Sequence, residues 1–317
     1  MRAVLIVNPH ATSTTEQGRD LLAHALKSQL DLSVVRTDHP NHANEISQAA
    51  VRDGVDLVIA HGGDGTVHGV VNGMLGPPGA VVPAHLPAVA VVPGGSANVF
   101  ARSLGISADP IAATNQLIDL INGYRQQHRW RRIGLIDCGE RWSVLNAGMG
   151  LDGEVVAAIE SQRAKGHSVS ALRYIRSAIA VVLANTRREP SLTLQLDQRE
   201  PIAGVHFVFV SNTSPWTYAN SRPVWTNPGT TFESGMGVFA TTSLKVVPTL
   251  ALVRHMVAKR PRLRATQLIR DDDVSTLNAD AGDTALPTQI DGEYLGERAL
   301  MRFRAVPDVL DVAAPLP

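Results

Sequence analysis

Gly62-Gly63-Asp64-Gly65-Thr66 places three glycines and a carboxylate where a strand should hand over to a helix. Ahead of it, Asp56 to Ala60 reads Asp-Leu-Val-Ile-Ala, a short apolar run of the kind buried in parallel sheets. Behind it, Val67, Val70, Val71 and Met74 recur at helical spacing until Gly76, Pro77 and Pro78 close the segment. A glycine turn at a helix N-terminus suits an anion. Backbone N–H groups and the positive dipole end point outward, and no Cβ bars a phosphate from the backbone. A carboxylate beside phosphate repels it unless a metal or a donor mediates, so the pattern points to nucleotide phosphate with Mg²⁺ nearby. The turn is neither a P-loop nor GxGxxG, and such turns also serve close packing alone.

The elements around this turn alternate strand and helix. Ala3–Val7, Leu32–Val35, Leu57–Ala60 and Ala88–Val92 read as strands. Helices are expected from Leu21 to Leu30, over His42–Arg52, over Ser96–Leu104, and over Pro110–Ile121 behind the Asp109 N-cap. That order is the βαβ pattern of a doubly wound sheet. Ligands bind beyond the carboxyl ends of such strands. Four loops belong there: Asn8-Pro9-His10-Ala11-Thr12, Thr37-Asp38-His39, the glycine turn, and Pro93 to Asn98 with Gly95 and Ser96.

From about Arg129 the texture changes to short strand-like runs: Ile133–Cys138, Ser143–Asn146, Leu192–Leu196, Val205–Val210, Gly237–Ala240 and Leu286–Ile290. Two helices interrupt them, Asp152–Arg163 and Ser168–Asn185, the second with an apolar stripe from Val169 to Leu183. The expected fold is α/β plus β. A doubly wound nucleotide-binding domain over 1–128 precedes a largely antiparallel β domain over 129–299, and residues 300–317 return to the first. Within the second region Gln289-Ile290-Asp291-Gly292-Glu293 ends an apolar run with two acids. Such a carboxylate could accept the proton of an attacking hydroxyl, and Asp-Gly is equally a hairpin turn.

Composition sets outer limits. The 317 residues suffice for two domains, and Lys plus Arg equal Asp plus Glu at 29 each, which with 4% aromatic residues argues against nucleic acid. Basic residues nonetheless cluster in Arg125–Arg132 and between Arg254 and Arg270, as solvated faces or as patches for anionic lipid headgroups. The single cysteine, Cys138, lies in an apolar run and excludes an internal disulfide. No run reaches the roughly 20 apolar residues of a membrane span. A cytoplasmic protein with peripheral contact at the inner membrane face is expected.

Taken in order, these segments resemble the diacylglycerol kinase catalytic-domain family, which includes bacterial lipid kinases and sphingosine and ceramide kinases. Asn8-Pro9 resembles its opening loop, GGDGT its signature, and Pro93 to Arg102 (PGGSANVFAR) its second glycine segment. NAGMGLDGEVV (146–156) and QIDGE (289–293) resemble its later motifs. The resemblance implies two domains with ATP in the cleft between them, held by Asn8, Pro9, His10, Ala11, Thr12, Thr37, Gly62, Gly63, Asp64, Gly65, Thr66, Gly95, Ser96 and Glu293. It implies Asp291 as general base on a lipid hydroxyl, diacylglycerol above all, and Asp64 acting through Mg²⁺ or water.

Two departures stand out. Val67, His68 and Gly69 replace an apolar-Asn-Glu continuation, and Thr231–Gly235 carries only Glu233 where the family's structural Mg²⁺ loop is Asp-rich. No metal ligand set is assigned. An NAD kinase, or a nucleotide- or lipid-binding regulator without turnover, are the alternatives, and oligomeric state (a homodimer included) is not encoded in any motif.

Overall fold

The computed structural model describes residues 1–10, 15–81, 83, 85–164, 189–219, 221–258 and 265–317. Ala11, Thr12, and the expected helix over Ser168–Asn185 with its apolar stripe lie outside the described residues. The chain divides into two compact units: 1–133 with 140–144 and 308–317, and 134–139 with 145–307.

In the first unit β1 (Arg2–Val7), α1 (Glu16–Lys27), β2 (Asp31–Arg36), α2 (His42–Arg52), β3 (Leu57–Gly62), α3 (Asp64–Leu75), β4 (Ala88–Pro93), α4 (Val99–Ser103) and α5 (Pro110–Gln127) follow one another. The strands pair in parallel in the order β2-β1-β3-β4, so their carboxyl ends share one edge. Every residue of β3 and β4 is buried, as continuous apolar strands covered on both faces must be. Ala3, Leu5, Val7, Ile59 and Ala90 pack with Leu22 and Leu26 of α1 and Leu117 and Ile121 of α5. The alternate residues turn to the opposite face, where α2 and α3 lie.

The α2–α3 crossing explains one departure seen in the sequence. Gly69 and Gly73 form a small-residue stripe on α3. A Cβ at Gly69 would sit 3.4 Å from Ala43, and one at Gly73 would overlap Ser47 Oγ and the Asn44 carbonyl. A long acidic side chain at 69 would hold the helices apart. On its other side α3 grips residues 140–144: Asn72 donates to the Trp142 carbonyl at 3.0 Å and accepts its N–H at 2.9 Å, and Trp142 Nε1 donates to the Gly76 carbonyl.

Three arginines of the basic run at the end of α5 are tied into the fold. Arg125 donates to Gln29 and Asn122, Trp130 stacks on Tyr124 at 4.2 Å, and Arg131 and Arg132 donate to the Pro315 and Asp308 carbonyls.

After α5 the chain runs through β5 (Arg131–Asp137), which passes into the second unit at residue 134, and β6 (Trp142–Ser143), which belongs to the first; the second unit then holds β7 (Asn146–Gly150), α6 (Leu151–Ala164), β8 (Leu192–Leu196), β9 (Ile202–Val205), β10 (Phe207–Ser211), β11 (Thr217–Ala219), β12 (Arg222–Val224) and β13 (Met236–Thr241). It ends with α7 (Val246–Met256), β14 (Leu268–Val274), β15 (Thr276–Asp280), β16 (Leu286–Ile290), β17 (Glu293–Arg298) and β18 (Leu300–Val312). A six-stranded antiparallel sheet runs β14-β13-β10-β7-β16-β17, while β15 pairs antiparallel with β18 and β8. Inward residues of both layers, among them Met149, Val208, Val238, Leu194, Leu277 and Phe303, form one core with Cys138 buried at its margin.

Three local expectations change. Ser143–Asn146 is not one strand, because Leu145 and Asn146 turn their N–H groups to the Asp291 carboxylate and β7 starts only at Asn146. The helix expected from Ser96 begins at Val99. Helix α7 went unread because Pro248 interrupts the pattern; in the first turn a proline costs nothing.

Gly73→Ala should therefore destabilise the first unit by about 2 kcal/mol, from overpacking at the helix crossing. Gly69→Ala should cost much less. Urea unfolding midpoints of the two variants measure the difference, and equal midpoints would remove the stripe from the packing argument.

Candidate functional site

At the carboxyl edge of the first unit's sheet, the strand ends are stitched together before any side chain acts. Asn8 N–H donates to the His61 carbonyl (3.0 Å), Thr37 N–H to Val7 (2.9 Å) and Gly94 N–H to Gly62 (2.8 Å). Asn8 Nδ2 reaches Thr66 Oγ1 at 3.3 Å, and its Oδ1 accepts from His10 N–H at 3.0 Å. The loop after β1 thus meets the first turn of α3.

The two glycine segments abut backbone to backbone. A Cβ on Gly95 would stand 2.7 Å from Gly63 Cα, and one on Gly63 would stand 3.4 Å from Gly95 Cα. Gly62 leaves room for the Thr66 side chain in the same way. At Gly65 an added Cβ would meet nothing within 4 Å, and this exposed residue faces outward from the helix start. Close packing accounts for Gly62 and Gly95 and, at the 3.4 Å limit, for Gly63. Among the described residues nothing packs against Gly65.

Asp64 has a definite task. Its two carboxylate oxygens accept the N–H groups of Val99 and Phe100, each at 3.0 Å. Both oxygens thus bind the start of α4. Asn98 completes the clamp: held at φ 48°, it accepts from Gly95 N–H (2.9 Å) and donates to the Gly95 carbonyl (2.7 Å). That left-handed residue is why α4 starts at Val99 and leaves Ser96 exposed in the loop.

His61, beside the glycine turn, is 2% exposed and donates Nδ1 to the Val92 carbonyl at 3.0 Å. Burial lowers its pKa, the Val92 carbonyl opposes that, and Arg19 adds to the lowering. It is a packed, neutral histidine. Past Thr37, Asp38 Oδ1 lies 2.6 Å from His42 Nδ1, and His39 stacks on His42 at 4.4 Å. Among the described residues, Asp38, His39 and His42 are the one group with three ligand atoms within 4.8 Å of one another. Two imidazoles suit a borderline metal better than Mg²⁺, which wants oxygen.

In the second unit β16 and β17 form a hairpin whose two turn residues are Asp291 (φ 48°) and Gly292 (φ 82°). Positive φ at both positions is the geometry for which Asp-Gly is favoured. The carboxylate is nonetheless specifically held. Oδ1 accepts from Leu145 N–H (2.8 Å) and Asn146 N–H (2.9 Å), and Asp291 N–H donates back to the Asn146 carbonyl (2.7 Å). Buried Gln289 accepts from Gly292 N–H and donates to Asn146 Oδ1. With Oδ1 fixed, the orientation of Oδ2 is fixed too. Glu293 opens β17, exposed at the hairpin's foot.

The glycines of the 146–156 segment serve packing. Gly150 has φ 91° and lies against the His206 carbonyl, and Gly153 lets α6 rest on the Pro287 backbone. The Thr231–Gly235 loop meets acids on β14: Asp273 accepts Gly235 N–H at 2.6 Å, Asp272 pairs with Arg270 at 2.8 Å, and Asp271 with Arg199 at 2.7 Å.

Sequence reasoning missed one feature of this unit. An apolar pocket of about 150 Å³ lies between α7, the start of α6 and β10–β13, lined by Leu151, Phe207, Phe209, Trp216, Phe239 and Val253 among others. Trp216 meets Phe209 edge-on at 5.4 Å. The available signal was the spacing of Val246, Thr249, Val253 and Met256, one stripe of α7.

Comparison with known proteins shows what the chain is similar to. Residues 2–125 match the diacylglycerol kinase catalytic domain. Over 122 residues the chain is 34% identical to diacylglycerol kinases of Staphylococcus epidermidis (strain ATCC 12228) and Staphylococcus aureus (strain MRSA252), covering 37% of this chain and 36% of each relative. The match thus spans about a third of those relatives' length. A diacylglycerol kinase crystal structure from Bacillus anthracis str. Sterne superposes with a TM-score of 0.72 at 16% identity, covering 99% of this chain and 97% of that one. A second structure from that organism gives 0.75 at 17%, with the same coverage. These likenesses show the fold: an N-terminal α/β domain and a C-terminal antiparallel sheet domain. Among the described residues no helix is long and apolar enough to cross a membrane.

Asp64→Ala should cost about 2 kcal/mol, the scale of hydrogen bonds to a charged acceptor, and Asp64→Asn about half as much; chemical unfolding measures both. His61 has a native pKa below its unfolded 6.5, so stability falls as pH drops through that range, where only the unfolded chain takes up the proton. His61→Gln should flatten that part of the stability–pH curve, and unchanged curvature would refute the neutral assignment.

Proposed function

With residues 2–125 matching a diacylglycerol kinase catalytic domain, we propose that the chain is an ATP-dependent lipid kinase. It transfers the γ-phosphoryl group to a lipid hydroxyl, with diacylglycerol giving phosphatidate as the leading reaction. The observation that carries this reading is Gly65. It is a glycine at a helix N-terminus that no packing among the described residues requires, beside a seam where the Gly63 and Gly95 backbones touch. A backbone so bared admits a phosphate.

In this reading Asn8, Thr37, Gly63 to Thr66, Gly95 and Ser96 bind and orient the nucleotide, and Asp64 keeps the two glycine segments in register. Phosphoryl transfer is mainly positioning and charge stabilisation, with one base for the acceptor's proton. Asp291 is assigned that role. As the lipid oxygen bonds to the γ-phosphorus and the bond to the ADP oxygen breaks, the hydroxyl proton passes to the Asp291 carboxylate.

No cluster of three acidic or histidine ligands surrounds Asp64 or Asp291 among the described residues, and the Asp38–His39–His42 group is wrong for Mg²⁺. Magnesium is therefore assigned to the substrate, as MgATP, and no step is routed through a protein-held ion. The apolar pocket supports a lipid acceptor. Cavities of about 150 Å³ lined by apolar side chains take a benzene-sized guest, room for a short run of acyl methylenes.

Gly65→Val should leave thermal stability near wild type while lowering ATP affinity roughly tenfold or more, since a side chain there blocks only a ligand. Unchanged affinity by titration calorimetry would remove the turn from the site. Asp291→Asn should reduce turnover roughly a hundredfold or more with ATP affinity retained. Transfer of γ-labelled phosphate to a panel of lipids in mixed micelles, with NAD as a separate acceptor, tests the reading itself. Label confined to NAD, or ATP binding without transfer to anything, would overturn it.

A further inference from the structure

The loop that leaves β2 carries a group of side chains that the kinase reading does not use. His39-Pro40-Asn41-His42 is a type II turn: His42 N–H donates to the His39 carbonyl at 3.3 Å, and Asn41 takes φ 70°, ψ −6°. Proline suits the first central position of such a turn, and asparagine tolerates the left-handed second. The turn brings its outer residues together, and the two imidazoles stack with centroids 4.4 Å apart and planes 8° apart. Glu45 follows His42 by three residues, on the same side of α2.

One hydrogen bond decides which nitrogen His39 offers. Its Nδ1 lies 2.8 Å from the Pro40 carbonyl, which can only accept, so Nδ1 carries the proton and Nε2 of the neutral ring bears a lone pair. That is how metal-ligating histidines are usually set. Nε2 faces Asp38 Oδ1 at 3.4 Å and Glu45 Oε2 at 3.6 Å. His42 Nδ1 accepts the Asp38 N–H at 3.2 Å and lies 2.6 Å from Asp38 Oδ1. Among the described residues Asp38 and Glu45 form ion pairs with these imidazoles alone, and Arg36, at the end of β2, is taken by Glu16 and Asp20. Two ring nitrogens and two carboxylate oxygens therefore converge with no lysine or arginine between them.

We propose that His39 Nε2, His42 Nδ1 and Asp38 Oδ1, closed by Glu45, form a site for a divalent cation of the zinc class. Two imidazoles and two carboxylates are a four-coordinate zinc set, whereas Mg²⁺ and Ca²⁺ take oxygen. Ligand atoms about 2.1 Å from a tetrahedral ion stand about 3.4 Å from one another. The 3.4 and 3.6 Å separations meet that spacing, and a rotation of the exposed Asp38 side chain opens the 2.6 Å one. The ion would tie the loop after β2 to the first turn of α2. The other way to neutralise the group is a proton on each imidazole, which leaves no site. Nothing here rests on the lipid-kinase reading, and a chain without kinase activity would keep the site.

The test is calorimetric titration of the untagged full chain with Zn²⁺ alone. One ion per chain should bind with micromolar affinity, undisturbed by a large excess of Mg²⁺. His39→Gln and His42→Gln should each weaken binding roughly tenfold or more, while His24→Gln, on α1, should leave it unchanged. Because a change at His42 could disturb α2, wild type is also titrated with Co²⁺. The ion should develop the visible absorption of a four-coordinate site, broaden the ring-proton NMR signals of His39 and His42, and spare those of His24. Absence of Zn²⁺ binding in wild type, binding that survives both histidine changes, or Co²⁺ broadening centred on other histidines overturns the proposal. The first of these would mean that protons alone neutralise the group.

Discussion

One carboxylate holds the first unit's edge in shape. Asp64 begins α3, yet its oxygens bind the N–H groups that begin α4, so two helix starts share a single negative charge. Without that bridge the Gly94–Asn98 loop would have only its internal Asn98 clamp and the Gly94–Gly62 hydrogen bond. With it, the Gly63 and Gly95 backbones are pressed together at a spacing that leaves no room for a side chain on Gly95. Asn8 reaches Thr66 from the neighbouring strand end, so three loops become one surface. The negative charge is largely spent internally, which eases the conflict between an aspartate and an approaching phosphate.

The second unit uses the same device with a different purpose. Asp291 sits on a tight hairpin turn, and a turn carboxylate would ordinarily wave in solvent. Here Oδ1 is fixed by two N–H groups at the start of β7, and buried Gln289 ties the turn to Asn146. A base must be oriented before it can be effective, and two hydrogen bonds on one oxygen aim the other. The turn presents the carboxylate and β7 aims it, the geometry that the proposed base requires.

Small residues explain much of what looks like departure or motif. Gly69 and Gly73 let α3 approach α2, and Gly150 and Gly153 let α6 settle on its sheet. Each could pass for a ligand-contacting glycine in the sequence. Gly65 is the one in the turn that packing leaves unaccounted for. Basic residues divide similarly: Arg125, Arg131 and Arg132 donate to backbone carbonyls and amide oxygens, whereas Lys245 and Arg254 stand beside the exposed apolar residues of α7.

The sequence alone determined what depends on neighbours along the chain. Alternating apolar runs and caps gave β1 to β4 and their helices, because buried parallel strands are continuously apolar and Asp109-Pro110 starts a helix wherever it stands. It also singled out GGDGT and Asp291, since glycines at a strand-to-helix turn suit an anion and a carboxylate at a strand end can accept a proton. What distant parts of the chain do to each other was decided by the tertiary structure alone. That Asp64 binds Val99 and Phe100 depends on β3 and β4 being adjacent, which no local pattern encodes. The same holds for Trp142 clasped by Asn72, and for a pocket whose walls come from α6, β10 and α7. Apolar side chains look alike whether they close a core or leave a cavity, and only packing in three dimensions tells which.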